Sequence, residues 1–208
     1  ARGDKGMKIV KFMSLLACFF LLFGCGTAGG NDNSSSGSKP GSDEEAPNEA
    51  PVDVEDQAVE DLTGHIVSIS DEGQTRILVT GQHPRSGGGS GTSSTMYTIE
   101  ESTKVESSAG EPLEAADLLV GMKVTVWNSG IVAESFPAQS GAIKVIVDAD
   151  QDEFEQQAVA KALEEVEAGY PWHVEEVTEQ GELSYKVTLK NLLDDSEPVD
   201  IEVEVKEG

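Results

Sequence analysis

The chain has 208 residues, of which 39 are acidic and 14 are lysine or arginine, giving a formal net charge of −25 at pH 7. Residues 1–24 hold four basic residues and one acid, a net charge of +3, so residues 25–208 carry −28. Such a charge repels phosphate backbones and anionic lipid headgroups, which excludes nucleic acid as a partner and favours cations or basic proteins.

The N-terminal residues predict a secretion signal. Lys8 and Lys11 precede the apolar segment 12–23, which only Ser14 interrupts. A membrane-spanning helix needs about 20 apolar residues, whereas a signal-peptide apolar region needs about 7–15. The length therefore favours a cleaved signal, with a retained membrane anchor as the alternative. Because Met7 is a normal start for such a signal, residues 1–6 are expected to lie upstream of the true start.

The end of this segment resembles a bacterial lipoprotein signal. The run Leu22-Phe23-Gly24-Cys25 places a small residue directly before a cysteine. The resemblance implies cleavage between Gly24 and Cys25 and attachment of lipid to Cys25, which would hold the protein at the extracytoplasmic face of the cell membrane. Stable anchoring takes two acyl chains, and a diacylglyceryl cysteine supplies both.

Residues 25–61 predict a tether. Apart from the predicted lipidated Cys25, their composition is dominated by Gly, Ser, Asn, Asp, Glu and Pro. Segments of this composition bury too little apolar surface to fold. We therefore expect a disordered acidic linker between the anchor and the folded part of the chain.

Residues 62–147 predict a small OB-like β-barrel. A short helix is expected over residues 113–119, between the third and fourth of five short β-branched or aromatic runs. An open meander is the alternative architecture. The five runs are 64–69, 76–80, 96–99, 124–127 and 143–147.

This region resembles a known family. The motifs that carry the resemblance are residues 117–127, Gly130 and residues 134–139. They are similar to the YobA-like lipoprotein domain of Gram-positive bacteria, a family without an assigned function, over about residues 62–147. The glycine-rich loop at 86–91 is longer than the family needs. The resemblance implies a fold and a cellular address, and it implies no catalytic residues.

Residues 152–208 predict a small α+β domain. Asp152 and Glu155 have the spacing of a capping box, and an apolar stripe at helical spacing follows before Gly169 and Pro171. Three strands are expected at 172–177, 183–189 and 199–205, forming an antiparallel sheet with the helix on one face. The order of elements is similar to a PepSY-like unit, which is linked to restraint of proteases.

One acidic motif raises the question of calcium binding. Asp148, Asp150 and Asp152 resemble the start of an EF-hand loop, but Glu153 stands where the loop needs glycine and Val159 where it needs glutamate. The alternative is an acidic linker leading into a helix N-terminus, where carboxylates are favoured.

The remaining candidates give no catalytic site, metal site or cofactor. His65, His83 and His173 fall in separate segments without metal-binding spacing. Trp127 and Trp172 could be ligand platforms, although packing in strands is the expected role. The sequence thus predicts a non-enzymatic, lipid-anchored binding or regulatory protein with an envelope protein or protease as partner. A protease-restraining module and an enzyme of unknown class are the alternatives.

Overall fold

The computed structural model describes residues 57–84 and 91–207. These residues belong to a unit that spans residues 49–208 and contains two hydrophobic cores. The predicted signal, Gly24, Cys25, most of the predicted linker and residues 86–90 of the glycine-rich loop lie outside the described residues. Within residues 57–84 and 91–207, no helix combines the length and the apolar character that crossing a membrane requires.

The described residues form eleven strands, one α-helix and a short 3-10 helix at Ala115–Asp117. The elements follow one another as β1 (Val59–Ser70), β2 (Arg76–Gln82), β3 (Thr92–Thr98), β4 (Lys104–Ser107), β5 (Pro112–Leu113), β6 (Lys123–Asn128), β7 (Ala138–Gly141), β8 (Lys144–Val147), α1 (Glu153–Glu164), β9 (Trp172–Gly181), β10 (Ser184–Asn191) and β11 (Val199–Glu204). The prediction of a mainly β chain is confirmed.

The first eight strands form one mixed sheet in the order β5-β4-β8-β6-β1-β2-β3-β7. Two pairs, β3 with β7 and β4 with β8, are parallel, and the others are antiparallel. Because β5 and β7 are edge strands that do not pair with each other, the described residues form no closed barrel. The predicted OB-like barrel is corrected to an open sheet, since closing a barrel requires its two edge strands to hydrogen-bond.

Every second side chain of a strand points to the same face of the sheet, and the hydrophobic core lies on one of the two faces. Ile77 and Val79 are fully buried in it, and Leu78 between them is 3 % exposed although it points to the opposite face. β1 and β2 approach very closely where Gly64 pairs with Gly81. A Cβ on Gly64 would lie 1.9 Å from the carbonyl oxygen of Thr80, so glycine is required there.

The C-terminal residues form the predicted α+β arrangement. The sheet has the order β11-β10-β9 with antiparallel pairs, and α1 packs on it through Ala158, Val159 and Ala162. Asp152 caps the helix, because its Oδ1 accepts hydrogen bonds from the backbone N–H groups of Phe154 at 2.8 Å and of Glu155 at 3.4 Å. The prediction of one helix on a three-stranded antiparallel sheet is confirmed.

The two sheets are joined by hydrogen bonds to backbone atoms. Thr80 Oγ1 donates to the carbonyl oxygen of Trp172 at 2.9 Å, and Gln156 Nε2 donates to that of Val120 at 2.5 Å. Gly121, with φ +89°, lies directly against α1, where a Cβ would come within 2.3 Å of the carbonyl oxygen of Gln156. Residues 152–207, which we call the C-terminal unit, therefore pack against β1 and β2 through β9. Independent folding of residues 62–147 and 152–208 stays a prediction.

Candidate functional site

A polar cluster at the start of β1 joins three strands of the large sheet. Asp61 is the extra residue of a β-bulge, where the pairing of β1 with β6 shifts between Glu60 and Leu62. Its carboxylate is 12 % exposed, and its Oδ2 accepts hydrogen bonds from the Tyr97 hydroxyl at 2.5 Å and from Asn128 Nδ2 at 2.9 Å. We call Asp61, His83, Tyr97 and Asn128 the polar clamp.

His83 completes the clamp from the segment that follows β2. Its Nδ1 lies 2.9 Å from the backbone carbonyl oxygen of Asp61 and 3.3 Å from Oδ1 of the same residue. Because a carbonyl oxygen only accepts hydrogen bonds, Nδ1 carries a proton and donates it to Asp61. The ring is 38 % exposed, so it lies at the edge of the clamp rather than inside it.

Two buried side chains of the clamp, Tyr97 and Asn128, act as hydrogen-bond donors. Tyr97 is fully buried, and burial followed by its hydrogen bond to Asp61 raises the pKa of the phenol. Tyr97 therefore stays protonated at neutral pH and acts as a hydrogen-bond donor. Asn128 is 2 % exposed. Its amide oxygen, Oδ1, accepts a hydrogen bond from the backbone N–H of Gly130 at 2.7 Å. The clamp thus fixes the beginning of the loop that follows β6.

That loop presents large apolar side chains to solvent. Ile131 is 78 % exposed, Phe136 49 % and Val132 38 %, and Val59 at the start of β1 is 54 % exposed. Val59 pairs with Asn128, so it lies at the base of the loop. We call residues 129–137 the apolar loop.

Hydrogen bonds hold the apolar loop in one arrangement. Ser140 Oγ donates to the carbonyl oxygen of Ile131 at 2.8 Å, and the backbone N–H of Ala133 donates to that of Gln139 at 2.8 Å. Ser135 Oγ donates to the carbonyl oxygen of Pro137 at 2.7 Å, and the peptide bond before Pro137 is cis. The three hydrogen bonds restrict the backbone of the loop, so the loop would lose less conformational entropy in a contact than a loop without them.

A pair of buried histidines lies between the two sheets. His65 Nε2 and His173 Nδ1 are buried and have no hydrogen-bond partner among the described protein atoms. Burial, then the nearby charges of Lys123 and His173, lower the pKa of His65 to about 4, against a smaller opposing effect of Asp148. Burial also lowers the pKa of His173. Both rings are therefore neutral at pH 7, and protonating them would place charge inside the contact.

The predicted calcium ligands take other roles in the structure. Asp148 forms an ion pair of 3.0 Å with Lys123 Nζ, and this hydrogen bond is the main cause that lowers the pKa of Asp148. Asp148 Oδ1 also accepts from the backbone N–H of Asp150 at 3.1 Å, and Asp152 caps α1. Among residues 57–84 and 91–207, no group of three or more His, Cys, Asp or Glu side chains is placed to hold a metal ion. Asp148 thus pairs with Lys123 and Asp152 caps α1, while calcium binding at Asp148, Asp150 and Asp152 stays a prediction.

Both tryptophans are half-buried in strands. Lys144 Nζ lies 4.4 Å from the centre of the Trp127 ring, a cation–π contact across β6 and β8. Trp172 Nε1 donates to the carbonyl oxygen of Glu167 at 3.0 Å. Each ring therefore makes a specific contact within the protein.

The C-terminal unit has the most acidic surface of the described chain. Residues 152–207 contain 17 acidic residues and four lysines. On β11, Asp200, Glu202 and Glu204 are exposed, and β11 pairs with β10 alone among the described strands. Asp200 accepts from Thr188 Oγ1 at 2.7 Å, and this bond is the main cause that lowers the pKa of Asp200. β11 is thus an edge strand with exposed acids, and Lys161 Nζ of α1 donates to the Glu204 carbonyl oxygen at one end of that edge.

Sequence reasoning missed the clamp. It assigned Asp61 to the acidic linker, whereas β1 already begins at Val59. Glu60 and Asp61 have the composition of a linker, and the bulge at Asp61 breaks the alternation that predicts a strand. The aromatic character of Tyr97 in a strand was visible, but nothing in the sequence indicates that Asp61, Tyr97 and Asn128 meet.

One comparison with known proteins gives a match, and it covers part of the chain. Residues 63–148 match a family described as protein of unknown function (DUF3221). The match covers the large sheet from within β1 to the end of β8 and includes the apolar loop. Neither the curated proteins nor the solved structures contain a match to the chain.

Proposed function

We propose that this protein is a non-enzymatic, lipid-anchored binding protein at the extracytoplasmic face of the cell membrane, and that its acidic C-terminal unit contacts a basic protein. The observation that carries the contact is the open edge of β11 with its exposed Asp200, Glu202 and Glu204. An extended segment of a partner can add to such an edge through backbone hydrogen bonds, while side chains supply the selectivity.

The anchor rests on the sequence Leu22-Phe23-Gly24-Cys25 and on the short apolar segment before it. The resemblance of residues 62–147 to YobA-like lipoproteins supports the same address. Attachment through lipid is also the physical solution for a chain of this charge, because its acidic surface gains nothing from anionic headgroups.

The charge of the C-terminal unit decides which partners it favours. With 17 acidic residues against four lysines, residues 152–207 attract basic surfaces over several ångströms and repel acidic ones. The same acids also discourage pairing between copies of β11, because strands with like charges at their edges repel. Single exposed ion pairs contribute little free energy, so the charge acts mainly on the rate and selectivity of association.

A protease is the second candidate partner. The helix-and-strand order resembles a PepSY-like unit, and the open edge of β11 is the kind of strand that a protease cleft can accept. Under this alternative, the C-terminal unit inhibits a protease instead of binding a basic protein.

Site-specific photo-crosslinking in cells tests the proposed contact. A crosslinking side chain at Glu202 of the full-length chain should give a discrete adduct with a basic extracytoplasmic protein, and the same group at exposed Glu111 should not. In the chain with the crosslinking group at residue 202, the paired substitutions Asp200→Lys and Glu204→Lys should reduce that adduct about ten-fold because they reverse the attracting charge.

The matched control carries Glu111→Lys and Glu114→Lys, the same change of charge on the large sheet, and should keep the adduct. An adduct whose protein is a protease would select the restraint hypothesis. Equal adducts from positions 202 and 111, or an adduct at position 202 that the lysine substitutions at 200 and 204 do not reduce, would contradict a contact at β11.

A further inference from the structure

The apolar loop is the most hydrophobic exposed surface that the described residues present on a single segment. Ile131, Val132 and Phe136 are exposed within six residues of sequence, with Val59 beside their base. The loop contains one charged residue, Glu134, and no lysine or arginine. Exposed apolar clusters of this kind mark contacts with proteins or membranes, because leaving them in water costs free energy.

The position of the loop on the chain points to a lipid surface. Val59, which lies at its base, is also where the chain enters β1, only 33 residues (26–58) after Cys25. A domain held close to a bilayer by its own chain meets that bilayer at a high effective concentration. Under these conditions a weak apolar contact is sufficient to orient the domain.

The distribution of charge points the same way. The contacts that join the acidic C-terminal unit to the large sheet lie at Thr80, at residues 120–121 and beside His65. Along β1, His65 is six residues from Val59, roughly 20 Å of strand. The apolar loop is thus at the end of β1 away from those contacts, so it can approach headgroups while most of the negative charge stays at a distance where salt screens it.

From these observations, and on the basis of the lipid anchor in the proposed function, we infer that the apolar loop inserts Ile131, Val132 and Phe136 into the outer surface of the membrane that holds Cys25. The hydrogen bond from the backbone N–H of Gly130 to Asn128 Oδ1 ties the apolar loop to the polar clamp and holds the loop in the conformation that inserts. The contact fixes the orientation of the large sheet relative to the membrane.

A polarity-sensitive dye on the loop tests this inference. The full mature lipoprotein carrying Ile131→Cys is labelled and reconstituted into vesicles of phosphatidylethanolamine and phosphatidylglycerol. We expect a blue shift of the dye emission on vesicle addition, strong quenching by brominated lipid and loss of most quenching by aqueous iodide. The matched control is Gln74→Cys, an exposed residue beyond the other end of β1, roughly 35 Å of strand from Val59.

The outcomes separate the inference from the proposed function. Flotation of the vesicles reports the anchor, and the dye reports the loop. If the protein floats with the vesicles and the dye at residue 131 is as accessible to iodide as the dye at residue 74, the loop inference is overturned and the anchor stands. If the protein does not float, the anchor itself fails and the loop inference fails with it.

Discussion

Replacing Asp61 with alanine should lower the free energy of unfolding by about 2–5 kcal/mol. The substitution leaves two buried donors, the Tyr97 hydroxyl and Asn128 Nδ2, without their acceptor, and each unsatisfied donor costs about 1–3 kcal/mol. The apolar loop should loosen at the same time, because Asn128 also holds Gly130. Urea unfolding followed by circular dichroism measures the stability, and amide hydrogen exchange at Gly130 and Ile131 reports the loop.

Two variants serve as controls for Asp61→Ala. Tyr97→Phe removes one donor and keeps the carboxylate, so we expect a smaller loss of about 1 kcal/mol. Asp195→Ala removes an exposed acid and should change stability by less than about 0.5 kcal/mol. A loss for Asp61→Ala no larger than that for Asp195→Ala would show that the clamp does not stabilise the fold.

Acidification should destabilise the protein through His65. The pKa of His65 falls from 6.5 to about 4 on folding, mainly through burial. Between these values the unfolded chain binds a proton that the folded chain does not, so stability is lost as the pH falls from 6.5 to about 4. At about 1.4 kcal/mol per unit, the loss amounts to about 3 kcal/mol.

The variant His65→Gln isolates this effect from the titration of the many carboxylates. Its side chain stays neutral at all pH values, so the wild type should lose about 3 kcal/mol more than the variant between about pH 7 and about pH 4. Urea unfolding of both proteins at the two pH values provides the comparison. Parallel losses in the two proteins would contradict the burial of a neutral His65 between the sheets.

The elements with regular patterns could be predicted from the sequence. The apolar stripe after Asp152 gave α1 and its cap, and the alternation of Val199, Ile201 and Val203 with acidic residues gave β11. In these segments local spacing and tertiary packing demand the same structure, because one face is buried and the other is in water. The antiparallel arrangement of the C-terminal sheet followed from its short connections.

The strand order of the large sheet could not be predicted in the same way. β5 has two residues, and β7 is Ala138-Gln139-Ser140-Gly141, with no large apolar side chain to identify it. Both are edge strands, and their pairing depends on partners far away in sequence. The open sheet therefore replaced the expected barrel.

The candidate sites show the same limit. Cys25 was predicted from a local motif, whereas the polar clamp is assembled from β1, β3, β6 and the segment after β2. Its residues are up to 67 positions apart in sequence, as in the hydrogen bond from Asn128 to Asp61, so no local sequence pattern predicts the polar clamp. The exposure of the apolar loop could not be predicted either, because Ile131 and Val132 have the side chains of core residues.

The mass of the mature N-terminal peptide tests the central claim most directly. The protein is expressed from its full-length sequence in a Gram-positive host, extracted from membranes with detergent, digested and analysed by mass spectrometry. We predict that residues 1–24 are absent and that the first peptide begins at a diacylglyceryl-modified Cys25, with Cys25→Ala abolishing the modification. A peptide that spans Gly24 and Cys25 intact, or a Cys25 thiol free to react with iodoacetamide, would contradict the lipid anchor.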